Sequence, residues 1–297
     1  MKSKNLQFTG ERLTTNLDAV YGVTEHLHRY ALAQQLVHNK IVLDIASGEG
    51  YGSNLLAQTA KKVIGVDIDF ESVTHATEKY NSKNVSFQQG STSAIPLDDH
   101  SVDVVVSFET LEHHDQHEQM MQEISRVLKS DGILLISSPE KSIYAERDPN
   151  NPFHIKELNL DEFKNLLDTY FSNTLLFQQQ FVVGSLITLL DDTILTQFKT
   201  FDGNFETIQN GLKPQQFYNK PYFNLAICTN AAINLQHLLG NSLFNGYAVL
   251  ENQFKNEAEK LAVATSKFEY IANSYSYKFG YGIVSKFNFI KKLWNKK

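Results

Sequence analysis

The sequence has little cysteine, no long apolar run and no excess of positive charge. Its single cysteine, Cys228, excludes an internal disulfide and suits a reducing compartment. No window of about 18 apolar residues predicts a membrane span, and the polar N-terminus lacks the apolar core of a signal peptide. The net charge of −6 argues against nucleic acid as a partner. We therefore predict a cytoplasmic protein that does not bind nucleic acid.

The GxGxxG pattern of dinucleotide-binding proteins is also missing, although a related unit is present. Residues 40–69 contain an apolar run that ends at Asp44, a turn of small residues, a helical stretch and a second apolar run that ends at Asp67. This is the pattern of a βαβ unit with a glycine turn at the tip of its first strand. Small side chains let a ligand approach the backbone, and an acid at the second tip suits the hydroxyls of a ribose.

Predicted strands and helices alternate between residues 40 and 140, which favours a parallel, doubly wound sheet. If the two last predicted strands pair antiparallel, they close the sheet and an insertion at 181–218 lies between them. The predicted strands are 41–45, 63–66, 84–89, 101–108, 133–137, 173–179 and 222–229, and the predicted helices are 23–38, 70–79, 111–128, 160–170 and 252–272.

Three parts follow from this pattern. Residues 1–39 form an N-terminal arm and a helix, residues 40–230 form the main domain with its insertion, and residues 231–297 form a helical extension with a basic amphipathic tail. Residues 278–297 hold six Lys and no acid.

The apolar residues of this tail lie on one predicted helical face: Ile283, Phe287, Ile290 and Trp294. Such a helix can lie in a membrane interface, or it can dock on the main domain or on a partner. Peripheral contact with the inner membrane face and self-association through 250–297 both stay open.

Several segments together resemble the class I S-adenosylmethionine-dependent methyltransferases, in the branch typical of bacterial surface-polysaccharide genes. The resemblance implies an α/β fold: a doubly wound, seven-stranded, Rossmann-like sheet with an insertion before the last strand and a C-terminal helical extension. It also implies S-adenosyl-L-methionine as the cofactor. The segments that carry it are VLDIASGEGYG, VIGVDID, VVSFETLEHHD, EISRVLKSDGILLISSPE and NPFHIKEL.

The same resemblance assigns roles to individual residues. Asp44 would accept from the methionine amino group, Asp67 would hold the ribose hydroxyls, and Ser91 stands where the family often has an Asp that contacts adenine. Arg29 or a neighbouring His either reaches the cofactor's carboxylate or faces solvent. The implied cofactor-binding residues are Asp44, Ala46, Ser47, Gly48, Gly50, Asp67, Ile68, Ser91, Thr92, Ser107 and Phe108.

Two histidines are candidates for a general base, since a hydroxyl acceptor loses its proton during methyl transfer. His113 follows the fourth strand, and His154 lies in the long loop 139–160, which could act as a lid; either could instead be structural. His113 and His117, spaced i, i+4 on a predicted helix, could bind a metal ion. The family carries Glu-His here without metal, so we predict no metal.

The acceptor is the least defined part of the prediction. The leading hypothesis is methyl transfer to a hydroxyl of a sugar or glycan precursor, so the expected partner is a small-molecule or glycan acceptor. Rival hypotheses are a lipid-linked or small aromatic acceptor such as a quinone, a non-catalytic module that binds the cofactor and serves assembly, and a dehydrogenase.

Overall fold

The computed structural model describes residues 20–148, 151–182, 201–202, 213–214, 221–235 and 238–274, together with 277–279, 281 and 284. The chain divides into two compact units, Met1–Phe244 and Asn245–Lys297. Nearly all of the predicted N-terminal arm, most of the insertion at 181–218 and the apolar face of the predicted tail helix lie outside the described residues.

The elements of the structure have the following bounds. The helices are α1 Val20–Gln34, α2 Tyr51–Leu56, α3 Phe70–Lys79, α4 His117–Val127, α5 Lys141–Arg147, α6 Leu160–Tyr170 and α7 Tyr247–Asn273, with a 3₁₀ turn at Leu111–His113. The strands are β1 Ile41–Ile45, β2 Lys62–Asp67, β3 Val85–Gln89, β4 Val102–Phe108, β5 Leu128–Pro139, β6 Asn173–Gln179, β7 Phe201–Asp202, β8 Lys213–Pro214 and β9 Phe223–Thr229.

Seven strands form one sheet in the order β3-β2-β1-β4-β5-β9-β6. The first five in this order run parallel, and β9 runs antiparallel to both of its neighbours. This confirms the predicted doubly wound sheet and the antiparallel closure by its last two strands. The two-residue strands β7 and β8 pair with each other within the insertion.

The sheet is buried on both faces, as its Val- and Ile-rich strands predict. On one face, side chains such as Leu43, Val105 and Ile136 pack with residues of α4 and α6. On the other face, Val42 and Val104 pack with residues of α1 and α2. Two cores therefore hold the carboxyl ends of β1, β2 and β4 rigidly at one edge of the sheet.

The structure corrects the helix predicted at 111–128. The chain makes a 3₁₀ turn at Leu111–His113, and α4 begins only at His117. In a continuous α-helix the carbonyl of Glu112 would accept from the residue four positions later. Here it accepts from the backbone N–H of Ile155 (2.7 Å) and Lys156 (3.1 Å) instead. The long loop thus takes over the bond that would have continued the helix.

In the second unit, α7 confirms the helix predicted at 252–272. None of its residues is buried, and apolar side chains such as Phe254, Leu261 and Phe268 are exposed. Within the described part of the chain, no helix is long and apolar enough to cross a membrane. Self-association and peripheral membrane contact through 250–297 stay predictions.

Candidate active site

The turn after β1 has an unusual backbone. Ala46, Gly48 and Gly50 have φ angles of 59°, 54° and 90°, in the left-handed region. For alanine this conformation costs about 1–2 kcal/mol. The turn is tied to β2 because the N–H of Ser47 donates to the carbonyl of Val66 (3.0 Å). The sequence-predicted small residues therefore form one fixed loop at the tip of β1.

Asp67 links this loop to the tip of β2. Its Oδ2 accepts from the N–H of Gly48 (2.7 Å), and its Oδ1 accepts from the N–H of Asp69 (2.9 Å). The carboxylate is 8% exposed, whereas the neighbouring Ile68 is 71% exposed. A fixed anion thus lies beside an exposed apolar side chain, an arrangement suited to a ribose and its attached base.

Asp44 lies buried at the end of β1. It accepts from Ser53 Oγ (2.6 Å) and Tyr30 OH (3.3 Å). Burial raises the pKa of Asp44 to about 7, against the lowering effect of these two hydrogen bonds, and the charge of Asp67 raises it further. An acid of this kind gains from a cationic partner, because a nearby positive charge restores its ionised form.

In the turn after β3, the side-chain hydroxyls interact with neighbouring residues of the chain. Ser91 Oγ lies 3.0 Å from Ser93 Oγ and accepts from the N–H of Ser93 (3.2 Å). Thr92 Oγ1 lies 3.4 Å from His114 Nε2. The roles of Ser91 and Thr92 toward adenine stay predictions.

Arg29 is buried, so α1 does not turn all of its charged residues to solvent. Its side chain is 1% exposed, and its guanidinium carbon lies 4.9 Å from the ring centroid of Phe223 and 6.0 Å from that of Phe108. Nη1 donates to Gln179 Oε1 (2.7 Å) and lies 3.8 Å from Glu109 Oε1. Nε and Nη2 have no hydrogen-bond partner among the described residues.

The residue that follows β4, Glu109, carries backbone strain. Its φ is 54°, and non-glycine residues with such angles cluster at functional sites. Its Oε1 accepts from Ser137 Oγ at the end of β5 (2.5 Å). The strained residue therefore connects the ends of two adjacent strands beside Arg29.

His113 and His154, which the sequence places 41 positions apart, meet in the structure with ring centroids 5.3 Å apart. His113 Nδ1 donates to the carbonyl of Phe153 (3.1 Å), and His154 Nδ1 donates to Glu157 Oε1 (2.5 Å). Tyr144 of α5 stacks on His154, with centroids 5.3 Å apart and an angle of 27° between the rings. The structure thus brings both candidate bases into one cluster.

The metal pair considered from the sequence, His113 and His117, is wrong. His117 is buried at the start of α4, and its Nε2 donates to the carbonyl of Leu111 (2.8 Å). Glu112 joins His113 instead: its Oε1 lies 3.9 Å from His113 Nε2, and its Oε2 has no partner among the described residues. Burial, and then the charge of Glu109, raise the pKa of Glu112 well above its usual value.

Three polar residues at this edge are not among the site residues predicted from the sequence. Ser138 and Asn224 are directly opposite each other on β5 and β9, and both are buried. Asn224 stands out as a polar residue within the otherwise apolar strand segment YFNLAIC, a signal that could have identified it. Glu157, three positions after His154 in the sequence, gave no such signal.

The seven-stranded sheet, with an acid at the ends of both β1 and β2, has the Rossmann-like fold of methyltransferase structures. Residues 43–136 match the family model described as a methyltransferase domain. A probable S-adenosylmethionine-dependent methyltransferase of Mycolicibacterium smegmatis is 39% identical over 170 residues, which cover 55% of this chain and 64% of that protein. A similarly named protein of Mycobacterium tuberculosis is 39% identical over 165 residues, 54% of this chain and 60% of that protein.

The chain thus spans less than two thirds of the length of these relatives.

Among solved structures, that of a SAM-dependent methyltransferase from Archaeoglobus fulgidus has a TM-score of 0.50 and 18% identity, over 69% of this chain and 92% of that one. At this identity the likeness concerns the fold alone.

Proposed function

We propose that this chain is an S-adenosyl-L-methionine-dependent methyltransferase whose acceptor is a hydroxyl of a sugar or glycan precursor. The two relatives are named as S-adenosylmethionine-dependent enzymes, and the domain match covers the strands that carry the predicted cofactor residues. The observation that carries the cofactor assignment is the pair of acids, Asp44 and Asp67, fixed on either side of the turn after β1.

The residues at this edge fit the cofactor's functional groups. Asp67 would bind the ribose hydroxyls, and Asp44 would accept from the methionine ammonium. Arg29 would bind the carboxylate through Nε and Nη2, the two buried donors that lack a partner in the described chain. A guanidinium presents such an edge to a carboxylate in a bidentate pair. The bound cofactor supplies an activated methyl group, so the chain's main task is to align it with the acceptor.

Buried polar atoms at the neighbouring strand ends favour a hydroxylated acceptor. Ser138 Oγ and both polar side-chain atoms of Asn224 have no hydrogen-bond partner among the described residues. Strand register places both residues on the same face of the sheet as Ser107, which the sequence assigns to the cofactor. Buried polar groups without partners are costly. An acceptor with several hydroxyls would satisfy them, whereas an apolar ring would not.

The acceptor's proton would leave at the histidine cluster. Glu157 accepts the Nδ1 proton of His154 in a hydrogen bond, which fixes the tautomer and orients the ring, as an acid does for a catalytic histidine. His154 is therefore the better oriented of the two candidate bases, with His113 beside it.

Calorimetry with S-adenosylmethionine, S-adenosylhomocysteine and NAD tests the cofactor assignment. We expect binding of the first two and none of NAD. Tight NAD binding without a response to the other two would reject the methyltransferase assignment in favour of a dehydrogenase.

Release of S-adenosylhomocysteine, screened against nucleotide sugars, lipid-linked sugars and quinone-like phenols, tests the acceptor. We expect turnover with a sugar, and a KM that rises at least about fivefold in Asn224→Ala, because lost pairing with a buried polar group costs about 1–3 kcal/mol. Asn81→Ala, at an exposed position, is the control. Turnover with phenols alone would reject the sugar, and cofactor binding without turnover on any acceptor would favour an assembly module.

A further inference from the structure

Three metal-binding side chains converge beside the proposed acceptor site. A carboxylate oxygen of Glu112 and one ring nitrogen each of His113 and His154 lie within 4.8 Å of one another. Glu112 and His113 come from the 3₁₀ turn after β4, and His154 comes from the loop that follows α5. Glu112 and His113 are neighbours in the sequence, but His154 joins them only in the folded chain, where the loop closes on the turn.

The hydrogen bond that each ring makes through Nδ1 determines which of its nitrogens carries the proton. The carbonyl of Phe153 can only accept, so His113 carries its proton on Nδ1; the carboxylate of Glu157 sets the same tautomer for His154. In the neutral rings both Nε2 atoms therefore carry lone pairs. Metal-binding histidines commonly donate their other N–H to a backbone carbonyl or a carboxylate, as both rings do here.

The buried carboxylate of Glu112 requires a positively charged partner within the cluster. Its side chain is 1% exposed, and its Oε2 has no partner among the described residues. Its Oε1 lies 3.9 Å from Nε2 of His113, so two atoms that can accept face each other. A buried carboxylate in this position needs a proton or a cation between itself and the rings.

We propose that Glu112, His113 and His154 bind one divalent transition-metal ion, of which Zn²⁺ is the simplest representative. Two imidazole ligands favour such an ion over Mg²⁺ or Ca²⁺, which prefer oxygen ligands. Two histidines and one glutamate with a fourth position open is a known ligand set of catalytic zinc.

The distances and the scaffold suit this ion. Ligand atoms about 2.1 Å from a tetrahedral Zn²⁺ lie about 3.4 Å apart, so the 3.9 Å between Glu112 and His113 needs only a small contraction. The backbone around the ligands is fixed, because the carbonyl of Glu112 accepts from the N–H groups of Ile155 and Lys156.

The consequence for catalysis rests on the proposed function, whereas metal binding does not. An acceptor hydroxyl in the open position would have its pKa lowered by the ion and would lose its proton to solvent. Its oxygen would then form the bond to the methyl carbon while the C–S electron pair returns to sulfur. In this form the two Nε2 atoms are ligands, and the metal replaces a histidine base.

Zinc titration of the full-length protein, after treatment with a chelator and without cofactor or acceptor, tests the site. We expect one high-affinity Zn²⁺ per chain by calorimetry and elemental analysis. Glu112→Gln and His154→Ala should each weaken it at least tenfold, and Glu157→Gln, which removes an outer partner, by about 10- to 100-fold. His38→Ala, which removes an exposed histidine, should leave it unchanged.

Cobalt gives a second readout that does not depend on the stability of any one variant. Bound Co²⁺ should show the visible absorption of a tetrahedral site in the wild type, and Glu112→Gln, which keeps the side chain's volume, should abolish it. Absence of stoichiometric Zn²⁺ binding, or equal affinity in wild type, Glu112→Gln and His154→Ala, would overturn the proposal and leave a shared proton in the cluster. Because no cofactor is present, this result is independent of whether the chain transfers methyl groups.

Discussion

Two neighbouring regions at the same edge of the sheet differ in how far the chain satisfies its own polar groups. The proposed cofactor side comprises the ends of β1, β2 and β3. There both oxygens of Asp67 and both of Asp44 accept hydrogen bonds. The proposed acceptor side comprises the ends of β4 and β5, the start of β9 and loops 109–113 and 151–158. There buried side-chain atoms of Ser138 and Asn224 lack partners in the described chain.

The first side is preorganised, because the chain itself satisfies its polar groups. On the second side, a ligand would have to supply the missing hydrogen-bond partners. In the proposed reaction the cofactor is the same in every turnover, so a rigid cofactor side with acids held by local hydrogen bonds would suit it. On the acceptor side, unpaired polar atoms cost stability, a cost typical of sites where function constrains the residue. Four predictions test this contrast, from the largest expected effect to the smallest.

The largest effect is expected at Gly50, in the turn on the cofactor side. A Cβ there would lie 2.7 Å from Cβ of Ala76 and 2.9 Å from the ring of Phe87, and its φ is +90°. Strain and overpacking together predict that Gly50→Ala lowers the free energy of unfolding by about 3 kcal/mol, measured by urea unfolding.

Gly48→Ala is the matched control in the same turn. Its φ is +54°, but nothing lies within 4 Å of the added Cβ. Only backbone strain remains, and we expect a loss of about 1 kcal/mol. Equal losses for the two variants would show that the close packing of Gly50 does not hold the turn in place.

Asp67 is expected to give the next largest effect, on binding rather than on stability. Asp67→Ala should weaken the affinity for S-adenosylhomocysteine more than tenfold, because a charged hydrogen bond is worth about 1.5–3 kcal/mol. Asp67→Asn keeps an acceptor for one of the two backbone N–H groups that Asp67 now binds, so it separates the loss of charge from the loss of turn structure. Unchanged affinity in both variants would remove Asp67 from the cofactor site.

The pKa of Asp44 predicts how cofactor binding depends on pH. Its pKa is raised to about 7 in the folded chain, so the free energy of unfolding of the ligand-free protein falls as pH rises from about 4 to 7. The groups facing Asp44 are Tyr30 from α1, Ser53 from α2 and Asp67 from β2. If the ionised form binds the cofactor's ammonium, affinity should fall about tenfold between pH 8 and pH 6.

Calorimetric titration of S-adenosylhomocysteine across this range measures the effect. Asp44→Asn, which cannot ionise, should bind weakly and with little dependence on pH. A wild-type affinity that is constant from pH 6 to pH 8 would contradict both the raised pKa and the proposed contact.

The sequence predicted the cofactor side far better than the acceptor side, for a physical reason. Asp44 and Asp67 lie within one βαβ unit, where strand ends and turns follow from local patterns, and the structure places both at the ends of their strands. Their roles toward a cofactor stay predictions. The acceptor side depends on contacts between distant segments. His113 meets His154 only because the loop 139–160 closes on the turn after β4, and the same contact is why α4 begins later than predicted.

The burial of Arg29 was equally hard to predict, because it depends on contacts with strands that are distant in the sequence. Arg29 directly follows His28 in α1, and its charge favours a surface position, yet Gln179 of β6 and the ring of Phe223 enclose it. Neither contact is visible in the sequence, since strand order places β9 between β5 and β6 only after the sheet has closed.

The smallest effect, and the sharpest test of the contrast, concerns Asn224 and Ser53. Asn224→Leu replaces a buried amide without partners by an apolar side chain of similar size, so the free energy of unfolding should rise by about 1 kcal/mol while turnover on the acceptor falls. Ser53→Ala removes the 2.6 Å bond to Asp44 and should lower the free energy of unfolding by about 1 kcal/mol. If urea unfolding shows a higher free energy of unfolding for Asn224→Leu and a lower one for Ser53→Ala, the result would support an acceptor side that is less stable because its polar groups are kept for binding. A loss of stability in both variants would mean that Asn224 has a structural role and that the two sides do not differ in this way.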